Sequence, residues 1–160
     1  MNRLRRGLFF CAAICIQSGA NAEERGHPAC DAIVKPDELS NHSHHAWRGA
    51  PGIKLRGDIA VCSYYQDEVP AGLTLSVHED SERQEFTNAR GYYKDVRDAT
   101  DIRDAYYFRL AATDPFEPSW GLVAHDGSRT YRIEGIPEAG NPDAARKVAR
   151  EIIERTMKVF

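Results

Sequence analysis

The chain has 160 residues, of which 42% are hydrophobic and 28% charged, with a formal net charge of −3. This length suits a single domain with one core. A net acidic chain with both signs of charge scattered along it argues against nucleic acid or an anionic membrane surface as the partner.

The first 22 residues have the pattern of a secretory signal peptide. Three arginines precede an apolar run, GLFFCAAICI at Gly7–Ile16, and the small-x-small triplet Ala20–Ala22 follows it. The run is about half the roughly 20 apolar residues that a membrane-spanning helix needs. We therefore expect cleavage after Ala22, a flexible leader over residues 23–29, and a periplasmic or secreted protein with no membrane span after cleavage.

The cysteines agree with export. Cys11 and Cys15 lie inside the apolar run, and neither follows the Leu-small-small triplet expected before a lipid-acceptor cysteine. The remaining pair, Cys30 and Cys62, is predicted to form one disulfide. The alternatives are a thiol nucleophile and a metal thiolate, and both need a reduced thiol, which an oxidising compartment disfavours.

The next part of the chain predicts a helix and then strands. A short helix, or two helical turns, is expected in CDAIVKPDELSNH, residues 30–42, with Pro36 in a first turn. Residues 46–58 are predicted as a loop with one short strand at Ile53–Arg56. Two strands follow, at Ile59–Tyr65 and Leu73–Glu79, and the turn between them predicts a hairpin.

A middle helix is predicted to start at Ser81, because Ser81 followed by Gln84 fits a capping box. Its apolar residues recur at helical spacing and form one stripe: Phe86, Ala89 and Tyr93. Gly91 lies inside this helix and weakens it by roughly 1 kcal/mol relative to alanine.

Three more strands and a last helix complete the pattern. The strands are expected at Ala105–Ala112, Trp120–His125 and Thr130–Ile136, and an amphipathic helix begins at Asn141. The order predicts one α+β domain over residues 30–160. We expect a mainly antiparallel sheet of five to six strands, with N-terminal, middle and C-terminal helices packed on it.

Several segments occur in an order that resembles a group of small bacterial exported proteins, many of them lipoproteins. These segments are CDAIVKPDEL, the strand CSYY, the strand GLTLSV, the hairpin SWGLVAHDGSRTYRI and the helix ARKVAREIIERTM. The resemblance covers residues 30–157 and implies a disulfide-pinned α+β fold with a non-enzymatic role. The chain differs from the group in lacking a lipid-acceptor cysteine and in having a histidine cluster.

The histidine cluster is the segment NHSHHAWR, residues 41–48, which contains His42, His44 and His45. Neutral imidazoles at this spacing can bind Cu²⁺ or Zn²⁺, with a further ligand from Asp37, Glu38 or His27. The alternative is a solvated polar turn. The cluster lacks the second ligand pair that makes a zinc motif specific, so no cofactor is expected unless copper or zinc binds here.

Tyrosine pairs at 64–65, 92–93 and 106–107 alternate inward and outward where they lie in strands. We predict an interaction surface made of Trp47, Tyr65, Tyr107 and Trp120, since tyrosine and tryptophan are enriched at interfaces. The alternative is that these rings pack in the core and against the sheet.

Catalysis has weak support in the sequence. His78 with Asp80, and His125 with Asp126, could each supply a general base. An exposed strand histidine beside a helix cap, and an Asp-Gly turn, are the preferred explanations of these pairs. No nucleophile elbow, phosphate loop or dinucleotide fingerprint is present. We therefore expect a non-enzymatic periplasmic binding or accessory protein that acts on an unidentified protein partner, and the alternative is a Cu/Zn-binding protein.

Overall fold

The computed structural model describes residues 28–50, 58–66, 72–113 and 117–160. These residues form four helices: α1 (Pro28–Ile33), α2 (Pro36–Ser43), α3 (Gln84–Tyr92) and α4 (Pro142–Val159). They form seven strands: β1 (Trp47–Ala50), β2 (Asp58–Gln66), β3 (Gly72–Glu79), β4 (Asp95–Asp98), β5 (Ala105–Leu110), β6 (Ser119–His125) and β7 (Arg129–Pro137). One sheet has the order β1-β2-β3-β7-β6-β5-β4, and all its neighbouring strands are antiparallel. The predicted α+β class with an antiparallel sheet is confirmed.

The predicted count of five to six strands is wrong, because the described sheet has seven. The two strands that were not predicted, β1 and β4, have four residues each and lie at opposite edges of the sheet. Their sequences, WRGA and DVRD, lack the run of β-branched and aromatic residues that marks a strand. The strand predicted at Ile53–Arg56 lies outside the described residues, as do the predicted signal peptide over 1–22 and residues 23–27 of the predicted leader.

The first face of the sheet carries the larger core. Cys62, Leu75, Ile133, Leu122 and Tyr107 are aligned in register across five strands, and all of them are buried on this face. Residues of α1, α2 and α4 complete the same core cluster. The helices of this face therefore exclude water from one side of the sheet over most of its width.

Two features hold the helices on the first face. The predicted disulfide is confirmed: Cys30 and Cys62 are bonded, with their Cα atoms 5.6 Å apart, so that α1 is tied to β2. The predicted start of α4 is also confirmed, since the Asn141 side chain accepts a hydrogen bond from the Ala144 N–H at 3.1 Å.

No helix in the described part of the chain is long and apolar enough to cross a membrane.

The N-terminal helical segment is divided at Lys35. Lys35 has extended backbone angles, φ −98° and ψ 124°, between α1 and α2. The cause is Pro36, because a residue that precedes proline is disfavoured in the α region. The structure therefore has two short helices here, of six and eight residues, where one short helix or two helical turns were predicted.

The second face of the sheet carries a smaller core under α3. Its buried residues come from α3, the turn after it, β5 and β6: Phe86, Ala89, Tyr93, Tyr106, Phe108 and Val123. Residues that pair across the strands on this face follow one line, which runs from Tyr106 and Val123 to Arg132, Ser76 and Val61. The second face is therefore apolar below α3 and more polar towards β3.

The predicted capping box at Ser81 and Gln84 is wrong. Helix α3 begins at Gln84, and the residue before it, Arg83, has left-handed backbone angles with φ 59°. The Asp80 carboxylate caps the helix instead, and it accepts hydrogen bonds from the N–H groups of Glu85 at 3.2 Å and Phe86 at 3.0 Å. The left-handed turn at Arg83 allows Asp80, which lies outside the helix, to reach these amides.

Candidate interaction surface

Tyr92 is the most exposed large hydrophobic residue among those that the structure describes. Its exposed fraction is 80%, and it is the last residue of α3. The helical spacing in the sequence indicates that Tyr92 is exposed. Phe86, Ala89 and Tyr93 define the buried stripe of the helix, and Tyr92, about 100° around the helix axis from Tyr93, falls outside it.

Tyr93 gives Tyr92 a rigid base. The Tyr93 ring is stacked on Phe108, with centroids 3.6 Å apart and planes inclined by 9°. Its hydroxyl donates to Glu134 Oε1 at 2.5 Å, and the same carboxylate oxygen lies 3.1 Å from Arg132 Nε. The Tyr92 and Tyr93 rings meet edge to face at 5.2 Å. A side chain that is held by stacking and a hydrogen bond loses little entropy when its surface is covered by a partner.

The ionisation state of Tyr93 is also defined. Burial and the hydrogen bond to Glu134 raise the pKa of Tyr93 well above its ordinary value of 10.0. The phenol is therefore neutral at physiological pH and remains a hydrogen-bond donor. The Tyr93 hydroxyl is therefore available to donate to Glu134 throughout the neutral range.

Two open grooves flank Tyr92. The first, of about 400 Å³, is named here the Lys94 groove and is lined by Tyr92, Tyr93, Lys94, Asp95, Arg109, Leu110 and Ala111. The second, of about 440 Å³, is named the Glu85 groove and is lined by Glu85, Asn88, Ala89, Tyr92, Tyr93, Arg132 and Glu134. An exposed aromatic side chain between two grooves is a geometry suited to contact with another molecule.

The aromatic surface predicted from the sequence is mostly buried. Trp47, Tyr107 and Trp120 all lie in the core of the first face, and Tyr65 alone of the four is exposed, at 41%. Register explains two of them, because Tyr107 and Trp120 alternate toward the face that α4 covers. Exposure of these three rings was therefore predicted wrongly.

The polar atoms of two of these buried rings are used inside the fold. Trp47 Nε1 donates to Ser43 Oγ at 2.8 Å, and the Tyr107 hydroxyl donates to the Asp101 carboxylate at 3.1 Å. The Trp120 ring lies below the guanidinium of Arg146, at 4.8 Å from its centroid. These contacts assign the three rings to packing and not to recognition.

The histidine cluster is divided between different environments. His42 Nε2 lies 2.8 Å from the Pro137 carbonyl oxygen, which ties α2 to the end of β7. His44 ends α2 in a left-handed conformation with φ 62°, and His44 and His45 are both exposed. In the described ranges, no group of three or more His, Cys, Asp or Glu side chains is placed to hold a metal ion.

His125 has a structural role. It is 2% exposed, its Nδ1 accepts a hydrogen bond from the Gly127 N–H at 3.0 Å, and its Nε2 lies 2.8 Å from the Asp80 carbonyl oxygen. Because Nδ1 is an acceptor, the ring proton lies on Nε2, which donates to Asp80. Both nitrogens are therefore engaged with backbone groups.

The other candidate general base, His78, lies beside Ser76, with His78 Nε2 3.0 Å from Ser76 Oγ. Ser76 is only 4% exposed. The nearby acid, Asp80, is directed away to α3 and to the Thr130 hydroxyl, which donates to it at 2.6 Å. Ser76 and His78 therefore form one polar contact and Asp80 belongs to another, so that the three residues do not form a Ser-His-Asp arrangement.

Asp126 likewise belongs to the turn. It accepts hydrogen bonds from the N–H groups of Ser128 and Arg129 and from the Tyr131 hydroxyl. Burial opposes its ionisation, but these hydrogen bonds outweigh that effect and lower the pKa of Asp126 to about 2. The carboxylate organises the hairpin, as the Asp-Gly sequence indicates.

The described residues form a small antiparallel α+β domain that is closed by one disulfide. Tyr92, supported by the Tyr93 ring, forms an exposed aromatic ridge on the less covered face of the sheet. No family model, curated protein or solved structure matches the chain. The function proposed below therefore depends on the chemistry of this surface.

Proposed function

We propose that the protein is an exported, periplasmic and non-enzymatic binding protein that recognises another protein through the surface around Tyr92. The observation that carries the proposal is the 80% exposure of Tyr92 between two grooves, on a base made rigid by Tyr93. Exposing a large aromatic ring to water is unfavourable, and such rings are enriched among the residues that dominate interface energies.

The residues considered for catalysis have structural roles, which favours binding over catalysis. His125 and Asp126 are committed to hydrogen bonds that build the hairpin, and Asp80 caps α3. The disulfide is compatible with an oxidising compartment, which the signal-peptide pattern also indicates. A preorganised aromatic ridge on a disulfide-closed domain is a suitable scaffold for an accessory protein.

The test is site-specific photocrosslinking in the periplasm of the native host. A photoreactive phenylalanine analogue replaces Tyr92 in one variant and Tyr65, the matched exposed tyrosine on the same face, in the other. We expect a discrete adduct from position 92 that excess wild-type protein competes away, and little or none from position 65. Equal adducts at both positions, or none at position 92, would contradict the proposal.

Affinity for the captured protein then quantifies the site. Replacing Tyr92 by alanine should weaken binding by about 2 kcal/mol or more, which is roughly thirtyfold in Kd, if it is a hot spot. Tyr65→Ala serves as the control and should change Kd by less than about threefold.

A further inference from the structure

The charges that line the two grooves indicate what kind of partner they accept. In the Lys94 groove, Arg109 Nε lies 2.8 Å from Glu138 Oε2, and Asp95 Oδ1 lies 3.5 Å from Arg97 Nε. The Lys94 ammonium has no ion-pair partner among the described residues. It is exposed, lies two residues beyond Tyr92, and lines the groove together with Leu110, Ala111 and Tyr93.

The Glu85 groove has the opposite character. Its Glu134 carboxylate is shared by Arg132 and the Tyr93 hydroxyl. The Glu85 side chain has no cation partner in the part of the chain that the structure describes, although its backbone N–H is bonded to Asp80. A partner therefore meets an uncompensated positive charge on one side of Tyr92 and an uncompensated negative charge on the other.

Spacing limits the partner further. Glu85 precedes Tyr92 by seven residues of α3, which is about 10 Å along the helix axis. An extended peptide advances about 3.3 Å per residue, so three or four residues cover this distance. Each groove, at about 400–440 Å³, has room for one or two side chains.

We propose that the surface binds an extended peptide segment in which an acidic residue, an apolar or aromatic residue and a basic residue follow one another over about five positions. The acidic side chain pairs with Lys94, the apolar one packs on Tyr92, and the basic one pairs with Glu85. This inference rests on the proposed function and specifies its partner. Opposite charges at the two ends provide specificity and orientation more than they provide affinity.

The test uses three fluorescein-labelled nine-residue peptides with the same central leucine and phenylalanine residues. The first carries Asp and Lys four positions apart, the second carries Asp at both positions, and the third carries Lys at both. Fluorescence anisotropy with the disulfide-bonded protein should give the tightest binding for the Asp/Lys peptide. Exposed ion pairs of this kind lead us to expect a preference of about three- to tenfold.

Charge reversal makes the test specific. Lys94→Glu should change the preferred probe to the double-Lys peptide, and Glu85→Lys should change it to the double-Asp peptide. Lys158→Glu, an exposed lysine on α4 at the other face, is the matched control and should leave the order unchanged. The preferences should weaken as salt is raised from about 50 to 500 mM.

Two results would overturn the inference: an order of affinities that does not respond to Lys94→Glu and Glu85→Lys, or no probe bound below about 1 mM. Neither result removes the proposed function, which is tested by the adduct at position 92. Both proposals would be rejected if position 92 gave no adduct and Tyr92→Ala still bound the probe peptides, because Tyr92 would then take no part in binding.

Discussion

Asp80→Asn tests how the interaction surface is attached to the sheet. In the wild type, the Asp80 carboxylate is 6% exposed and accepts three hydrogen bonds, from the Glu85 and Phe86 amides and from the Thr130 hydroxyl. Asparagine keeps the shape but loses the charge, and its NH₂ group must face at least one of these donors. Bonds to a charged acceptor contribute about 1.5–3 kcal/mol each and a buried unpaired donor costs about 1–3, so we expect a loss of about 2–4 kcal/mol.

The effect of pH on this variant follows from the pKa of Asp80. Burial opposes its ionisation, but the hydrogen bonds from Thr130, Phe86 and Glu85 outweigh burial and hold the pKa below the ordinary value of 3.8. A carboxyl whose folded-state pKa is depressed contributes its full stability above the unfolded-state pKa, and this stability is lost as the pH falls through the folded-state pKa. The difference in stability between wild type and Asp80→Asn should therefore be constant from pH 7 to about 5 and decrease below about pH 4.

Urea denaturation from pH 7 to 2 measures this difference, and native-state hydrogen exchange locates it. We expect the amides of α3 to lose protection more than those of β2 or β3, because Asp80 holds one end of α3. Asp126→Asn is the matched control, since that carboxylate accepts its hydrogen bonds from Ser128, Arg129 and Tyr131 of the hairpin. A uniform loss of protection in Asp80→Asn, or a change in stability below about 0.5 kcal/mol, would refute this account of the cap.

Three further changes test packing, crosslinking and helix propensity, each by urea denaturation of the disulfide-bonded protein unless stated. Gly121→Ala should destabilise by about 3 kcal/mol, because the new Cβ would overlap the Phe108 ring and lie 2.6 Å from the Ile133 carbonyl oxygen; a loss below about 1 kcal/mol would show that the strands yield easily. Replacing both Cys30 and Cys62 by serine should cost about 3–4 kcal/mol for a crosslink with a sequence separation of 32, and an unchanged midpoint would contradict that estimate. Gly91→Ala should stabilise by about 0.5–1 kcal/mol and raise α3 protection, since the added Cβ has no atom within 4 Å apart from its chain neighbours and the backbone of its own helix; destabilisation would mean that the position needs glycine.

Patterns local in sequence predicted most of the fold. The disulfide followed from cysteine parity, the β2–β3 and β6–β7 pairs from alternation and turn residues, and the start of α4 from Asn141. Strands β1 and β4 were missed because an edge strand is stabilised by pairing with the strand next to it. Short segments that contain charged residues or glycine do not reveal this pairing in their own sequence. The start of α3 was misplaced because the left-handed turn at Arg83 gives the capping role to Asp80, the residue directly before the predicted cap, Ser81.

The interaction surface was harder to predict, because it depends on which side of the sheet each ring occupies. Tyr107 and Trp120 are aromatic residues in strands, as predicted, but their register places them below α4. Tyr92 is exposed because α3 ends there, at the margin of a core that Tyr93 and Phe108 complete.

The geometry of the proposed interaction surface therefore depends on the attachment of one nine-residue helix. Helices of this length are marginal in isolation, so α3 persists through its contacts with the sheet and through the Asp80 cap. Tyr92 and Glu85 lie at opposite ends of that helix, and Lys94 lies just beyond it. Any change that releases α3 should therefore disrupt both Tyr92 and the charged residues on either side of it. Peptide binding and α3 protection should thus decline together in Asp80→Asn, and binding that survives the loss of α3 protection would place the recognition surface elsewhere.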